Sequence, residues 1–266
     1  MRTASRLLDA IDPVRIFERN GLTPDPWQEA ILRRRPQQAL ICWGRQAGKS
    51  LTFGALACWW ALYRPGSQVL LASFNQNKAK DLLAKATELW KPFEEKFPLE
   101  SSSTEHAEWK NGSTILALPA KPDAARGPRA NVVILDEAAW TTAELKAVIT
   151  QTLATTNGPL YAISTPPPEP IGWWWSAWTK GGTLDAKAAV EEAGDRWIRS
   201  LVPSTECPRI SADFFERVRE DDGPSVFARE CLCEFPEMGQ FTSNTPISPH
   251  LVDAVQTVGA DSFFGR

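Results

Sequence analysis

The segment Gly44-Arg45-Gln46-Ala47-Gly48-Lys49-Ser50 constrains this chain more than any other, because of what flanks it. In front lies Gln38–Trp43 (QALICW), a short apolar run with the character of a buried strand. Behind it Lys49–Tyr63 is a long apolar stretch closed by Arg64-Pro65-Gly66, which reads as a helix. A strand feeding a glycine loop that opens a helix turns backbone N–H groups and a helix N-terminus toward one point. Glycine there lets the backbone approach a phosphate closely. In such a loop Lys49 pairs with the β- and γ-phosphates of ATP, and Ser50 places its hydroxyl on Mg²⁺. The usual spacing, G-x-x-x-x-G-K-S/T, requires glycine at position 43. Trp43 stands there instead, and the glycine comes one residue later.

A second motif supports the first. Val132-Val133-Ile134-Leu135 is an apolar strand pattern that runs directly into Asp136-Glu137. Adjacent carboxylates at a strand end repel each other unless a cation sits beside them. Asp136 can hold Mg²⁺ through water, and Glu137 can polarise an attacking water as general base. A glutamate directly after the metal aspartate selects P-loop ATPases of the motor, helicase and translocase kind. Ser164-Thr165, at the end of the next strand pattern, then lies beside the γ-phosphate and can sense it, although Ser-Thr-Pro is also a common strand-to-turn sequence.

Helical periodicity is read over Asp12–Asn20, Trp27–Arg34, Asn77–Trp90, Ala143–Thr150, Ser211–Arg219 and Ser225–Cys233. Strand patterns occur over Gln68–Ala72, Asn131–Leu135, Pro159–Ile163 and Arg196–Val202, and a hairpin over Glu105–Leu118 turns at Asn111-Gly112. Strands alternating with helices predict an α/β fold with a mostly parallel central sheet flanked by helices. Pro166–Pro170 is a stiff connector, and four tryptophans follow within Gly172–Trp178. Their bland reading is packing, and the sharper one is base stacking. A net charge of −3 over 266 residues leaves no global basic footprint, so contact with nucleic acid needs a local patch. The odd number of cysteines, with irregular spacing, argues for buried thiols over disulfides or zinc. Neither a signal peptide nor a bilayer-spanning stretch is evident, so the chain reads as soluble and intracellular, with no membrane partner.

With these residues placed, the sequence resembles the ATPase domain of the large terminase subunit of tailed bacteriophages. The resemblance runs from about Pro24 to Pro166 and more weakly to about Phe241. That family has a shortened phosphate loop with Arg-Gln inside it, which accounts for the displaced glycine. Asp136-Glu137-Ala138-Ala139 matches its second motif, and Ile163-Ser164-Thr165-Pro166 the motif coupling hydrolysis to DNA movement. Pro26-Trp27-Gln28 is similar to the element whose glutamine reads the adenine edge. The resemblance implies a P-loop NTPase of the ASCE type, divided into a core (1–166), a lid subdomain (167–240) and a tail or linker (241–266). It also implies ATP contacts from Gln28 and Gly44 through Ser50, with Arg45 near the γ-phosphate. Arg126 would be a finger reaching the neighbouring subunit's γ-phosphate, with Arg129 as its competitor.

The partners so implied are double-stranded DNA, further copies of the chain in a ring (a pentamer), the portal protein and the small terminase subunit. The site of action would be the procapsid portal in the host bacterial cytoplasm. The family's C-terminal nuclease pattern does not occur before Arg266, so DNA cleavage is not expected of these residues. A helicase-like ATPase and an ATP-binding assembly protein with little turnover are the competing readings. No second RecA-like domain supports the first, and the intact Asp136-Glu137 pair opposes the second.

Overall fold

The apolar runs of the sequence assemble side by side. The computed structural model describes residues 2–119, 129–180, 191–192 and 197–235. Its strands are β1 (Gln38–Trp43), β2 (Gln68–Ser73), β3 (Leu99–Ser102), β4 (His106–Trp109) and β5 (Thr114–Pro119), then β6 (Val132–Asp136), β7 (Leu160–Ser164), β8 (Glu191–Glu192) and β9 (Ile198–Val202). They form one sheet in the order β3-β4-β5-β2-β6-β7-β1-β9-β8. From β5 across to β9 every pairing is parallel. The pairs β3–β4, β4–β5 and β8–β9 are antiparallel. β1, β2, β6 and β7 are buried along nearly their whole length, as parallel strands covered on both faces must be.

The helices are α1 (Arg2–Ile11), α2 (Arg15–Arg19), α3 (Pro26–Arg34), α4 (Lys49–Tyr63), α5 (Gln76–Trp90), α6 (Ala143–Thr152), α7 (Gly172–Thr179), α8 (Ala212–Asp221) and α9 (Pro224–Glu230). Strand alternation divides the core between the two faces. Ile41, Trp43, Val69, Leu71 and Ile134 meet the side chains of α4 and α5 on one face. Leu40, Cys42, Leu70 and Leu135 meet those of α6 and α7 on the other. α4 is apolar around its whole circumference because it is enclosed, with the sheet on one side and α2, α3 and α5 around it. Trp43, Trp59, Trp109 and Trp174 are wholly buried. Each contributes about 4–6 kcal/mol of gross hydrophobic stabilisation at the usual area coefficient.

The helices and parallel strands follow the sequence periodicity, with ends moved by a few residues. α1, α7, β3 and β8 were not expected from periodicity. β3 carries one apolar residue, pairs with β4 along a register shift, and has no alternation to reveal it. β9 falls where Arg196–Val202 was read as a strand, and it lies parallel to β1. The chain after Thr165 therefore returns to the sheet beside the strand that carries the glycine loop. Cys42, Cys58, Cys207, Cys231 and Cys233 are all free and buried, as their spacing implied. Among the described residues no helix is long and apolar enough to cross a membrane. All of these residues belong to one unit, Met1–Phe235.

Candidate functional site

Parallel register brings the motifs to one edge. Ser73 is level with Asp136, Asp136 with Ile163, Cys42 with Ser164, and Trp43 with Val202. The loops after β1, β2, β6 and β7 thus all open outside the carboxyl ends of the strands, where α/β sheets bind ligands. A cleft of about 790 Å³ lies there. Its walls hold Arg45, Gln46, Lys49, Ser50, Asp136, Glu137, Ser164 and Thr165, all expected from the sequence. They also hold Phe74, Lys78, Trp140, Phe214, Val218, Asp222 and Glu230, which were not.

The front of the glycine loop is fastened by residues far along the chain. Gly44 N–H donates to the Val202 carbonyl at 2.8 Å, and Arg45 N–H to the Glu230 carbonyl at 2.8 Å. The Ser204 hydroxyl donates to the Arg45 carbonyl at 2.6 Å. Arg45 Nε meets the Glu230 carboxylate at 3.2 Å. A β-carbon on Gly44 would stand 2.3 Å from Ser204 Oγ and 2.8 Å from the Cys231 carbonyl, so only glycine fits. Trp43 is not a defect in this arrangement. Its ring is buried in the core and its Nε1–H donates to Ser200 Oγ at 2.8 Å, so position 43 serves the sheet and the loop begins one residue later.

The back of the loop is held by α3. Trp27 Nε1–H donates to the Ala47 carbonyl at 3.1 Å, and Gln28 Nε2 to the Gly48 carbonyl at 3.4 Å. Gly48 has φ +86°, a left-handed conformation that glycine adopts without strain. Gln46, between the two glycines, is left-handed without being glycine, at φ 61°.

Lys49 opens α4, and its Nζ donates to the Trp43 carbonyl and, at 2.9 Å, to the Gly44 carbonyl. Burial lowers its pKa, and Asp136 is among the neighbours opposing that shift. Asp136 is pushed up to about 6 by burial, with Lys49 pulling it back. Its Oδ1 accepts the Glu137 N–H at 2.9 Å. Glu137 is left-handed, with φ 53° and ψ 37°, and caps the tight turn Ala138–Trp140. Backbone strain of this kind costs about 1–3 kcal/mol and is held only where the surroundings enforce it. Three hydrogen bonds do so here. Ala139 N–H donates to Ser164 Oγ at 3.4 Å. The Thr141 hydroxyl donates to the Ala138 carbonyl at 2.7 Å and accepts Trp173 Nε1–H at 3.0 Å.

The tryptophan cluster is therefore in part a support for the carboxylate turn. Trp174 and Trp178 are buried and stacked at 5.1 Å, and Phe235 packs on both. For these two rings packing is the role the structure gives.

Gln28 is 2% exposed and is not on the cleft wall. Its Oε1 accepts the Asp25 N–H at 2.8 Å in a capping box, so reading adenine requires that amide to exchange partners. Arg129 is exposed, while Arg126 lies outside the described residues. Glu230 and Ser204 left no local signal, since 185 residues separate Arg45 from Glu230. Among the described residues no three His, Cys, Asp or Glu side chains converge as a metal cage. One buried oxygen at this edge, Ser73 Oγ, has no hydrogen-bond partner.

No curated protein matches the chain by sequence. The family model described as terminase large subunit, T4likevirus-type, N-terminal, matches residues 40–245. The large terminase ATPase domain of Thermus phage P74-26 shares the fold with a TM-score of 0.73 at 23% identity, covering 85% of this chain and 99% of that one. The large terminase of bacteriophage HK97 does so with a TM-score of 0.59 at 16% identity, covering 93% and 52%. A large terminase of a thermophilic bacteriophage, solved in complex with ADP, gives 0.59 at 11% identity, covering 84% and 52%. The chain spans about half the length of these last two proteins.

Proposed function

The chain belongs to the terminase large-subunit family, and on that premise we propose that it is the ATP-hydrolysing motor part of a viral DNA-packaging machine. The observation that carries the proposal is the cleft at the carboxyl edge of the sheet, where Lys49, Ser50, Asp136 and Glu137 share one wall system. The large terminase crystallised with ADP has the same fold, which supports a nucleotide as occupant.

In this reading Lys49 leaves the Trp43 and Gly44 carbonyls for the β- and γ-phosphate oxygens, and the amides of Gln46 to Ser50 surround the phosphates. Ser50 and the carboxylate of Asp136 hold Mg²⁺. When bound, the metal neutralises charge on the β- and γ-phosphate oxygens. Glu137, fixed by its left-handed backbone over the Ala138–Trp140 turn, takes a proton from the attacking water. Arg45 exchanges the Glu230 carboxylate for the γ-phosphate, an exchange of one anion for another, while its backbone N–H keeps the Glu230 carbonyl. Ser164 is already bonded to the turn that carries Glu137, so with Thr165 it relays loss of the γ-phosphate into that turn. Gln28 completes the adenine end, and Arg126 or Arg129 reaches the neighbouring subunit's site.

Residues 1–166 then form the ATPase core, 167–240 the lid and 241–266 the tail. The machine is a homo-oligomeric ring acting on double-stranded DNA with the portal protein and small terminase subunit, at the procapsid in the host cytoplasm.

The test is Glu137→Gln, which keeps the shape of the side chain and removes the base. Mg²⁺·ATP binding should stay within about threefold of wild type while turnover drops by about 100-fold or more, as loss of a general base commonly gives. Turnover at the wild-type rate would sink the assignment.

A further inference from the structure

The cations that face the cleft differ in what they already touch. Arg45 is paired with Glu230, and Lys49 donates to two carbonyls of its own loop. Lys78 is on the wall with them but sits on the opposite side, in the first turn of α5 beyond the end of β2. It is exposed, and no hydrogen bond or ion pair holds its ammonium among the described residues. It is near enough to Asp136 to help hold that carboxyl's pKa down. β2 adjoins β6, so Lys78 stands on the side of Asp136 and Glu137 away from the glycine loop.

A second polar group lies on β2, behind the wall. Ser73, the last residue of β2 and level with Asp136, is wholly buried, and its hydroxyl lacks a hydrogen-bond partner. A buried hydroxyl without a partner costs about 1–3 kcal/mol, so the strand end beneath this wall carries a polar group that folding leaves unpaired. Ser73 lies behind the wall that Lys78 occupies, in register with Asp136.

We propose that Lys78 is a γ-phosphate contact, reaching the terminal phosphate from the β2–α5 side while Lys49 and Arg45 approach it from the loop side. The inference rests on the nucleotide-site reading above and adds to it the residue that distinguishes triphosphate from diphosphate on this wall. The β-phosphate belongs to the glycine loop, so a cation beyond the carboxylates has only the γ-phosphate to meet. Nothing has to be released for Lys78 to bind, which sets it apart from Arg45.

The experiment measures binding of ADP and of a non-hydrolysable ATP analogue, each with Mg²⁺, by displacement of a fluorescent nucleotide from the full chain. In Lys78→Gln the analogue should bind about tenfold more weakly, the worth of one charge-assisted phosphate contact, with ADP changed less than about twofold. Lys78→Arg should restore most of the difference. Equal losses for both nucleotides, or none for either, would overturn the Lys78 assignment while leaving the nucleotide site standing. Failure of the wild-type chain to bind either nucleotide would overturn the nucleotide-site reading and this inference with it. Lys78 is exposed, so the substitution does not disturb the core.

Discussion

The two walls of the cleft treat their polar groups in opposite ways. On the β1 side Gly44, Arg45 and Lys49 each have partners, drawn from Val202, Ser204, Glu230 and the loop itself. On the β2 side Lys78 has none among the described residues, and the Ser73 hydroxyl buried behind that wall has none either. The first wall is finished by folding, and its groups must give up a bond to serve a ligand. On the second, Lys78 is left open and gains one. Mutations that touch only the protein should therefore be costly on the first wall and silent on the second, until a nucleotide arrives.

The largest effect is expected at Gly44. Gly44→Ala forces a β-carbon into Ser204 Oγ and the Cys231 carbonyl, and should cost about 2–3 kcal/mol by overpacking and lost hydrogen bonds, read by denaturant unfolding. A loss below about 1 kcal/mol would mean the front of the loop is not clamped as described. The same chemical change at two serines sharpens the contrast. Ser204→Ala removes the donor to the Arg45 carbonyl and should lower stability by about 1–2 kcal/mol. Ser73→Ala removes a hydroxyl that has no partner and should leave the free protein as stable or more so. Equal costs at both positions would erase the distinction between the walls.

A pH dependence is expected of Asp136, which lies between them. Its folded pKa, about 6, is above the ordinary 3.8, so the ligand-free fold binds a proton there more tightly than the unfolded chain does. Stability of the free protein from this group thus falls as pH rises from about 4 to about 6 and is level above that. Metal-nucleotide binding needs the carboxylate and should strengthen over the same interval. Comparing unfolding temperatures of wild type and Asp136→Asn from pH 4 to 8 isolates the step, which the variant should lack.

Much of this was legible in the sequence, for particular reasons. β1, β6 and β7 are continuous apolar runs bounded by glycine, acid or proline, and the loop and the Asp136-Glu137 pair are local patterns whose chemistry is carried by neighbours in sequence. The second half of the cleft was not legible because its information is nonlocal. Glu230 and Ser204 matter only through the return of β9 to the side of β1, and Ser73 only through register with Asp136. Gln28 illustrates a different limit. Its residue type suits adenine, but a capping box and a loop carbonyl already hold its amide, and no motif discloses prior engagement of that kind. The tryptophan helix likewise gave composition without direction, and the bond from Trp173 to Thr141 tied it to the carboxylate turn.

The fastening of Gly44 and Arg45 has an entropic side. A glycine-bearing loop free in solution samples many backbone conformations, and closing it around phosphates would cost about 1–2 kcal/mol for each residue ordered. Here the chain orders those residues during folding, with donors and acceptors supplied from Val202, Ser204 and Glu230. Affinity for a phosphate ligand then depends little on taming the loop and largely on the exchange of one set of hydrogen bonds for another. Loosening the segment around Ser204 and Glu230 would return that conformational freedom to the loop and weaken a ligand held by the loop's own groups.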